Sequence, residues 1–327
     1  MALVLGIVAP VFGLILAGWL VGRKGLFGDG AVASLNRFVV WLALPALIFR
    51  VLAEAHWSAL WQPGFIAAFV GGIAATFLLS VLLGGRDRPL AETSLDALSA
   101  SYANTAFMGI PLCVATMGAV GLPAAVLASI LTVCLLFAFS IMLVEYDLHR
   151  GRGIGATIAR VAASLARNPL LVAPVLGTAW AMTGVPLPGP VHEFTNMLGA
   201  AATPCALVTL GLFLAEGSRP PAAPGRVGLL IALKLLIQPA VTALLVLFVF
   251  TVPPLWARAA ILLAALPTGT GPFMLAQLYR HDVAVTSRAI LISTICSLVT
   301  ASLLLAMMAP GTNGPFPEGP RAIHAGP

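Results

Sequence analysis

Charge is the scarcest property of this sequence. Charged residues make up 9% of its 327 residues, whereas about a quarter of the residues in an average soluble domain are charged. Hydrophobic residues make up 60%, and the mean hydropathy is +1.04. So few polar side chains cannot cover a globule that faces water, which argues against a soluble enzyme, a secreted disulfide scaffold and a disordered protein. At about 20 residues per span, a membrane protein of this length has room for roughly ten transmembrane helices.

Cysteine and lysine are scarce as well. The four cysteines lie inside apolar segments without the spacing of metal ligands, and neither they nor the five histidines predict a metal or another cofactor. Only two of the 17 basic residues are lysines, and the arginines are scattered between apolar segments, so the net charge of +6 does not predict nucleic-acid binding. The segment from Met1 to Leu20 lacks a basic start and a cleavage site, which predicts a retained first span.

Ten apolar runs have the length of a membrane span. The sequence therefore predicts an all-α polytopic membrane protein with ten transmembrane helices, at residues 2–22, 31–53, 64–84, 95–119, 121–146, 168–185, 190–215, 226–250, 255–279 and 284–309. The tail, residues 310–327, is rich in glycine and proline and is predicted to be disordered.

The basic residues predict the orientation of these spans, because cytoplasmic loops are enriched in arginine and lysine. Eleven of the 17 lie in the odd-numbered loops: Arg23, Lys24, Arg86, Arg88, Arg150, Arg152, Arg160, Arg167, Arg219, Arg226 and Arg280. Three lie on the other side, namely Arg50, Arg258 and Arg321, and three fall within spans, namely Arg37, Lys234 and Arg288. The odd-numbered loops are therefore predicted to be cytoplasmic and both termini to lie outside the cytoplasm.

The two halves of the chain resemble each other at a nearly constant offset. Five matches in the same order lie 159 to 161 residues apart: Pro10 with Pro169, Gly18 with Gly177, Pro45-Ala46 with Pro204-Cys205, Pro63-Gly64 with Pro224-Gly225, and Pro111 with Pro272. They predict two five-helix repeats, residues 1–146 and 168–309, joined by a cytoplasmic linker, residues 147–167. Because five is an odd number, the second repeat enters the membrane from the opposite face, as in many secondary transporters.

The fourth and ninth spans contain residues that disfavour a continuous helix. The fourth holds Gly109 and Pro111, and the ninth contains the run PTGTGP at residues 267–272. Proline removes a backbone donor and clashes with the preceding turn, and Gly109 lowers the cost of unusual dihedrals beside it. Broken helices that cross would present half-helix N-termini, whose positive ends suit a carboxylate. The alternative is a pair of ordinary kinks that serve packing.

Three segments of the sequence have the form of known motifs: NTAFMGIPL at 104–112, LPTGTGPFMLA at 266–276 and LNRFVVWLALPALIF at 35–49. They resemble motifs of the auxin efflux carrier (PIN-like) family, within the bile acid/auxin/arsenite transporter superfamily. The resemblance covers the chain to about residue 309. It implies two inverted five-helix repeats, a scaffold part and a transport part, and a crossover at Pro111 and Pro272. It also implies export or exchange of organic anions across a bacterial inner membrane, with malonate and other small dicarboxylates among the substrates of bacterial relatives.

The candidate site residues lie mainly in the interrupted spans. They are Asn104, Thr105, Gly109, Pro111, Thr268, Gly269, Thr270 and Pro272, together with Asn36 and Lys234. The amide of Asn104 offers donors and an acceptor, so it would bind a substrate carboxylate or tie down the crossover, or else form a packing hydrogen bond. Lys234 would neutralise the negative half-helix ends or pair with an anionic substrate, unless it snorkels to the surface.

Other polar residues in or beside the spans have simpler interpretations. Glu92 and Asp96 are interpreted as acids in the first turn of the fourth helix, with proton coupling as the alternative. Packing is favoured over ligand binding for Thr195, Asn196, Gln238 and Gln277.

Together these features predict a secondary transporter of small organic anions that works by alternating access around the crossover. A malonate-like dicarboxylate and an auxin-like monocarboxylate both fit, as do proton coupling, exchange and flux driven by the membrane potential. A sodium-coupled symporter of the bile-acid type and an anion channel are the alternatives. No cluster of catalytic groups predicts an enzyme. The expected partners are the anion and the lipid bilayer, and a homodimer is left open.

Overall fold

The computed structural model describes residues 2–55, 61–85, 88–149, 159, 162–163, 166–215 and 224–308. Much of the predicted linker, residues 147–167, and all of the predicted tail, residues 310–327, lie outside these described residues. The same holds for six of the loop arginines, namely Arg86, Arg150, Arg152, Arg160, Arg219 and Arg321. The described part of the chain consists of helices and short connections, and its one β-bridge is isolated.

The helices follow the predicted apolar runs. In chain order they are α1 (Ala2–Arg23), α2 (Ala31–Ala53), α3 (Pro63–Leu83), α4 (Leu90–Ser101), α5 (Ile110–Met117), α6 (Ala119–Leu148), α7 (Pro169–Met182), α8 (Gly189–Ala215), α9 (Pro224–Val249), α10 (Pro254–Ala264), α11 (Gly271–Leu278) and α12 (Ala284–Met307). The fourth predicted span is divided between α4 and α5, and the ninth between α10 and α11.

The lengths and composition of these helices fit a membrane protein. Among the described residues, α2, α3, α6, α8, α9 and α12 are long and apolar enough to cross a membrane. Large apolar side chains on the outer helices are exposed, such as Phe248 of α9 with 82% of its surface accessible, as lipid-facing side chains would be. The predicted class, an all-α polytopic membrane protein, is confirmed. The count of ten spans stays a prediction.

One group of helices consists of α1, α2, α7 and α8. α1 packs along α8 and α7 packs along α2, with very close backbones. A Cβ at Gly18 would lie 2.3 Å from the carbonyl oxygen of Val208, and a Cβ at Gly177 would lie 2.6 Å from that of Phe49. Gly18 and Gly177 lie 159 residues apart, and so do the residues they contact, Phe49 and Val208. The two close contacts are therefore equivalent in the two halves of the chain. The offset found in the sequence therefore matches the way these four helices meet.

A second group of helices encloses the two interrupted spans. α3 packs on α4 and α9, α6 packs on α4, and the start of α9 packs on α12. α4 is buried at nearly every position from Ala91 to Ser101, and α10 is buried from Ala259 to Ala264. Both interruptions therefore lie in the interior of the protein.

Candidate functional site

Both interrupted spans lose their helical hydrogen bonds for a few residues. α4 ends at Ser101, the chain from Tyr102 to Asn104 is not helical, and a π-helical turn from Thr105 to Gly109 leads into α5. In the ninth span, α10 ends at Ala264 and α11 begins at Gly271. Backbone groups freed inside a membrane protein must find other partners, because no water replaces the lost bonds.

The two interruptions supply those partners to each other. Ala103 and Thr268 form an antiparallel bridge. On one side of it the N–H of Asn104 donates to the carbonyl oxygen of Pro267 at 2.9 Å, and on the other the N–H of Gly269 donates to that of Tyr102 at 3.0 Å. Residues 165 positions apart correspond to each other here, Asn104 to Gly269 and Tyr102 to Pro267. When each residue is replaced by its counterpart, each of the two hydrogen bonds becomes the other. The interrupted spans therefore cross at residues 102–104 and 267–269, which we call the crossing.

The position of the crossing corrects the prediction that placed it at Pro111 and Pro272. Pro272 is the second residue of α11, where a missing N–H costs nothing. Pro111 lies seven residues beyond Asn104 inside continuous helix. A π-helical turn directly precedes it, in which the N–H of Ile110 donates to the carbonyl oxygen of Thr105. Such a turn accommodates the backbone hydrogen bond that proline cannot make, so the helix is not broken. The match of Pro111 with Pro272 is therefore out of register by four residues.

The glycines near the crossing are needed for space. A Cβ at Gly269 would lie 2.9 Å from the ring of Tyr102, and one at Gly271 would lie 2.5 Å from it. The Tyr102 ring is held from another direction by the ring of Phe137, with 5.9 Å between the centroids. The Gly-Thr-Gly spacing of the ninth span therefore fits the aromatic ring of the fourth.

Gly109 also serves close packing. The backbone dihedrals of Gly109 (φ −67°, ψ −48°) and of Ile110 beside it (φ −58°, ψ −56°) are ordinary helical values. A Cβ there would lie 2.6 Å from a methyl carbon of Leu263 in α10. The residue lets α5 approach α10 closely.

Side chains bind the carbonyl groups at the ends of α4 and α10. These ends carry partial negative charge, because the last carbonyls of a helix have no partner within it. Thr268 Oγ1 donates to Ser99 O at 2.9 Å, and Gln238 Nε2 donates to Ser101 O at 3.0 Å. Lys234 Nζ donates to Ala264 O at 2.7 Å, and its side chain is fully buried. Lys234 therefore does not reach the surface, in contrast to the snorkelling alternative.

A cavity of about 260 Å³ adjoins the crossing between the two groups of helices. Its walls come from the second half of α2, from α6, from α8, from the crossing residues of the fourth span and from the first residues after each interruption. Most of the lining is apolar, and its polar members are Arg50, Tyr102, Asn104, Thr105, Ser129, Thr203 and Thr270. Thr105 Oγ1 and Arg50 Nε are buried and have no hydrogen-bond partner in the described part of the chain. Cavities of this kind, apolar with a few convergent polar groups, are typical of small-molecule sites.

Comparisons with known proteins show the family to which this chain belongs. The family model described as "Membrane transport protein" matches residues 3–153 and 155–305. The chain belongs to the membrane transport protein family. It is 31% identical to the "Putative malonate transporter" of Rhizobium meliloti (strain 1021) over 95% of this chain and 98% of that protein. It is 22% identical to "Auxin efflux carrier component 8" of Arabidopsis thaliana, over 89% and 93% of the two chains.

A further relative has a less specific name. The chain is 26% identical to the "Uncharacterized transporter YfdV" of Escherichia coli (strain K12), over 64% of this chain and 68% of that one. The resemblance to the auxin efflux carriers is thus confirmed. Because its relatives are named as transporters, this member of the membrane transport protein family is a transporter and not an enzyme.

The structure distributes the ten candidate residues over four places. Asn104, Thr105 and Thr270 line the cavity, and Thr268, Gly269 and Lys234 build the crossing or bind a helix end beside it. The three structural positions Gly109, Pro111 and Pro272 shape the helices. Asn36 lies apart, in a second cavity of about 490 Å³ lined by the first half of α2, the end of α11 and the chain that follows it.

Two residues of this transporter lie in or beside the site although the sequence did not place them there. Arg50 was counted as a loop charge, yet it lies inside α2 and lines the cavity. Its position within the apolar run 31–53 was the available signal. Gln238 was interpreted as a packing residue, and it binds the end of α4. No local pattern marks it, because its partner is 137 residues away.

Asp96 is part of an ion-pair network away from the cavity. It is the seventh residue of α4, beyond the first turn in which it was predicted, and only Glu92 lies in that turn. Arg226 binds both carboxylate oxygens of Asp96, and Arg88 binds Asp96 at 2.8 Å and Glu92 at 3.2 Å. Burial lowers the pKa of Arg88, but its bonds to Asp96 and Glu92 outweigh burial and raise that pKa above its ordinary value. The network links α4 to α9.

Proposed function

We propose that this protein is a secondary transporter of small organic anions that works by alternating access around the crossing. The observation that carries the proposal is the cavity at the crossing, where donor groups from both interrupted spans line a space between two groups of helices. This cavity is lined by Asn104, Thr105 and Thr270, which supports their assignment as substrate contacts.

The positions of the two cavities support alternating access. The cavity at the crossing is lined by α2 from Leu44 to Leu52, and the second cavity is lined by α2 from Ala33 to Arg37. They thus lie toward opposite ends of one helix. We propose that α1, α2, α7 and α8 form the scaffold part and that the other helices move against it, which would expose the crossing to each face in turn. The two-fold relations of Gly18 with Gly177 and of Asn104 with Gly269 support an inverted repeat.

The chemistry of the cavity favours a carboxylate substrate. The first N–H groups of a helix lack intrahelical partners and carry partial positive charge, and the cavity is lined by Thr270 and Gly271 at the start of α11. No aspartate or glutamate is among the described residues that line it. Malonate, named in one relative, is a dicarboxylate, and auxin, named in another, is a carboxylic acid.

The same lining bears on the coupling ion. A sodium site needs several oxygen ligands and often includes a carboxylate, and the part of this cavity's lining that the structure describes contains no carboxylate. We therefore favour exchange, proton coupling or potential-driven flux over sodium symport. Uptake measured with and without sodium and pH gradients separates these cases, and saturable counterflow distinguishes a carrier from an anion channel.

The orientation remains the one that the loop charges predict, with both termini in the periplasm. The second cavity, which contains Arg37 and Arg280, would then open to the cytoplasm, and the cavity at the crossing would open to the periplasm. A reporter fused to the C-terminus that is active only in the periplasm tests this orientation.

Counterflow of radiolabelled malonate into proteoliposomes tests the proposed function. We expect Asn104→Ala to abolish most of the flux, because it removes an amide that lines the cavity. The matched control is Asn196→Ala, which removes an amide of α8 that does not line the cavity. Equal flux in both variants would contradict the site. Absence of flux in the unmodified protein with malonate, succinate and a panel of monocarboxylates would contradict the function itself.

A further inference from the structure

Among the described residues that line the cavity at the crossing, Arg50 has the one charged side chain. It lies in the last turn of α2, and its side chain is 24% exposed. Its guanidinium Nε is buried and has no hydrogen-bond partner among the residues that the structure describes. The cavity therefore contains a fixed cation whose donors are not all used.

The acid nearest to Arg50 does not satisfy it. Glu54, four residues along α2, places Oε2 3.8 Å from Arg50 Nη1, which is beyond hydrogen-bond distance. The other oxygen of Glu54 lies 3.2 Å from His192 Nε2, so this carboxylate is shared. A guanidinium has five N–H donors in a planar fork that matches a carboxylate. A buried donor left unpaired is costly, and such a group in a cavity is explained by a ligand that pairs with it.

The crossing supplies a different kind of contact to the same cavity. Asn104 and Thr105 are neutral, and Thr105 Oγ1 is buried with no hydrogen-bond partner in the described ranges of the chain. Together with the start of α11 they suit one carboxylate group. Arg50 reaches the cavity from α2, on the other group of helices, so its charge is available to a second anionic group.

We infer that Arg50 binds the second carboxylate of a dicarboxylate whose first carboxylate lies at the crossing, and that it thereby makes this transporter selective for dianions over monoanions. This inference rests on the proposed transport of carboxylates. It adds a specificity-determining residue that acts on only one of the two ends of the substrate.

The test compares malonate with monomethyl malonate, which keeps the carbon chain but only one carboxylate. Dissociation constants are measured by calorimetry on the purified full-length protein, at a pH at which both malonate carboxyls are ionised. We expect the unmodified protein to prefer malonate at least about tenfold. We expect Arg50→Gln to weaken malonate binding about ten- to hundredfold, the loss of one hydrogen bond to a charged group, and to change monomethyl malonate binding less than about threefold.

Three further variants make the outcome specific. Arg50→Lys keeps the charge without the fork, so we expect intermediate selectivity. Arg258→Gln removes an arginine from the same predicted face without touching the cavity, and Glu54→Gln removes the weak ion pair. We expect both to keep the preference for malonate. Thermal unfolding of each variant shows whether it is folded, and Arg50→Lys carries the test if Arg50→Gln does not fold.

The outcomes separate this inference from the proposed function. Equal losses of both ligands in Arg50→Gln, or no loss, would overturn the role of Arg50. Equal binding of malonate and its monoester by the unmodified protein would do the same while leaving carboxylate transport intact. We expect Asn104→Ala to weaken both ligands alike, and failure of the unmodified protein to bind any carboxylate would overturn both proposals.

Discussion

The contact between Gly271 and Tyr102 gives a prediction whose size follows from one distance. In Gly271→Ala the new Cβ would lie 2.5 Å from Cζ of Tyr102, about 1 Å closer than an ordinary contact between carbon atoms. The ring cannot retreat easily, because it packs against Phe137. Overpacking of this kind costs about 1–3 kcal/mol, and the gain from replacing glycine by alanine in a helix offsets at most about 1 kcal/mol. We expect a net loss of about 0.5–2 kcal/mol.

The assay is reversible unfolding in mixed micelles, followed by tryptophan fluorescence. The control is Gly228→Ala in α9, where a Cβ would meet no atom within 4 Å, and we expect it to be neutral or stabilising. In a double-mutant cycle, Tyr102→Leu is expected to be less destabilising in the Gly271→Ala background than alone, with a coupling of about 1–2 kcal/mol. If Gly271→Ala were as stable as Gly228→Ala, or if the coupling were absent, the proximity of the ring to α11 would be refuted.

The remaining predictions concern the helix ends and the packing. Lys234→Met leaves Ala264 O without its donor, so we expect malonate flux in proteoliposomes to fall at least about tenfold, with Lys24→Met as the control; unchanged flux would exclude a role for this bond in transport. Asp96→Asn weakens the pairs with Arg88 and Arg226, and we expect it to lower the free energy of unfolding by about 1–3 kcal/mol. That is less than the roughly 3–5 kcal/mol of a fully buried pair, because both arginines are partly exposed. Gly18→Ala and Gly177→Ala would each place a Cβ against a backbone carbonyl, so both are expected to unfold at lower temperature than Gly13→Ala, and similar stability of all three would contradict the close packing of α1 on α8 and of α7 on α2.

The helices were predictable because their signal is local. A run of apolar residues long enough to span a bilayer determines where each helix begins and ends, and α2 occupies the predicted range 31–53. The interrupted spans were found in the same way, since Gly and Pro in an apolar run disfavour a continuous helix.

The exact position of the crossing was harder to predict. Proline lacks a backbone N–H, and it breaks a helix only where the local geometry does not accommodate the lost hydrogen bond. At Pro111 a π-helical turn absorbs it, so the interruption lies at Tyr102–Asn104, where no proline marks it. The partners of Lys234 and Gln238 are backbone carbonyls on other helices, and backbone groups leave no trace in a sequence pattern. The position of Arg50 inside a span could have been predicted, but its proximity to the end of that span suggested a loop.

Two of the hydrogen bonds that join the interrupted spans are made entirely by backbone atoms, between Asn104 and Pro267 and between Gly269 and Tyr102. A backbone bond survives most substitutions of the residues that form it. Evolution can therefore exchange the side chains beside the crossing, and with them the preferred cargo, while the junction that holds the two spans together is inherited unchanged.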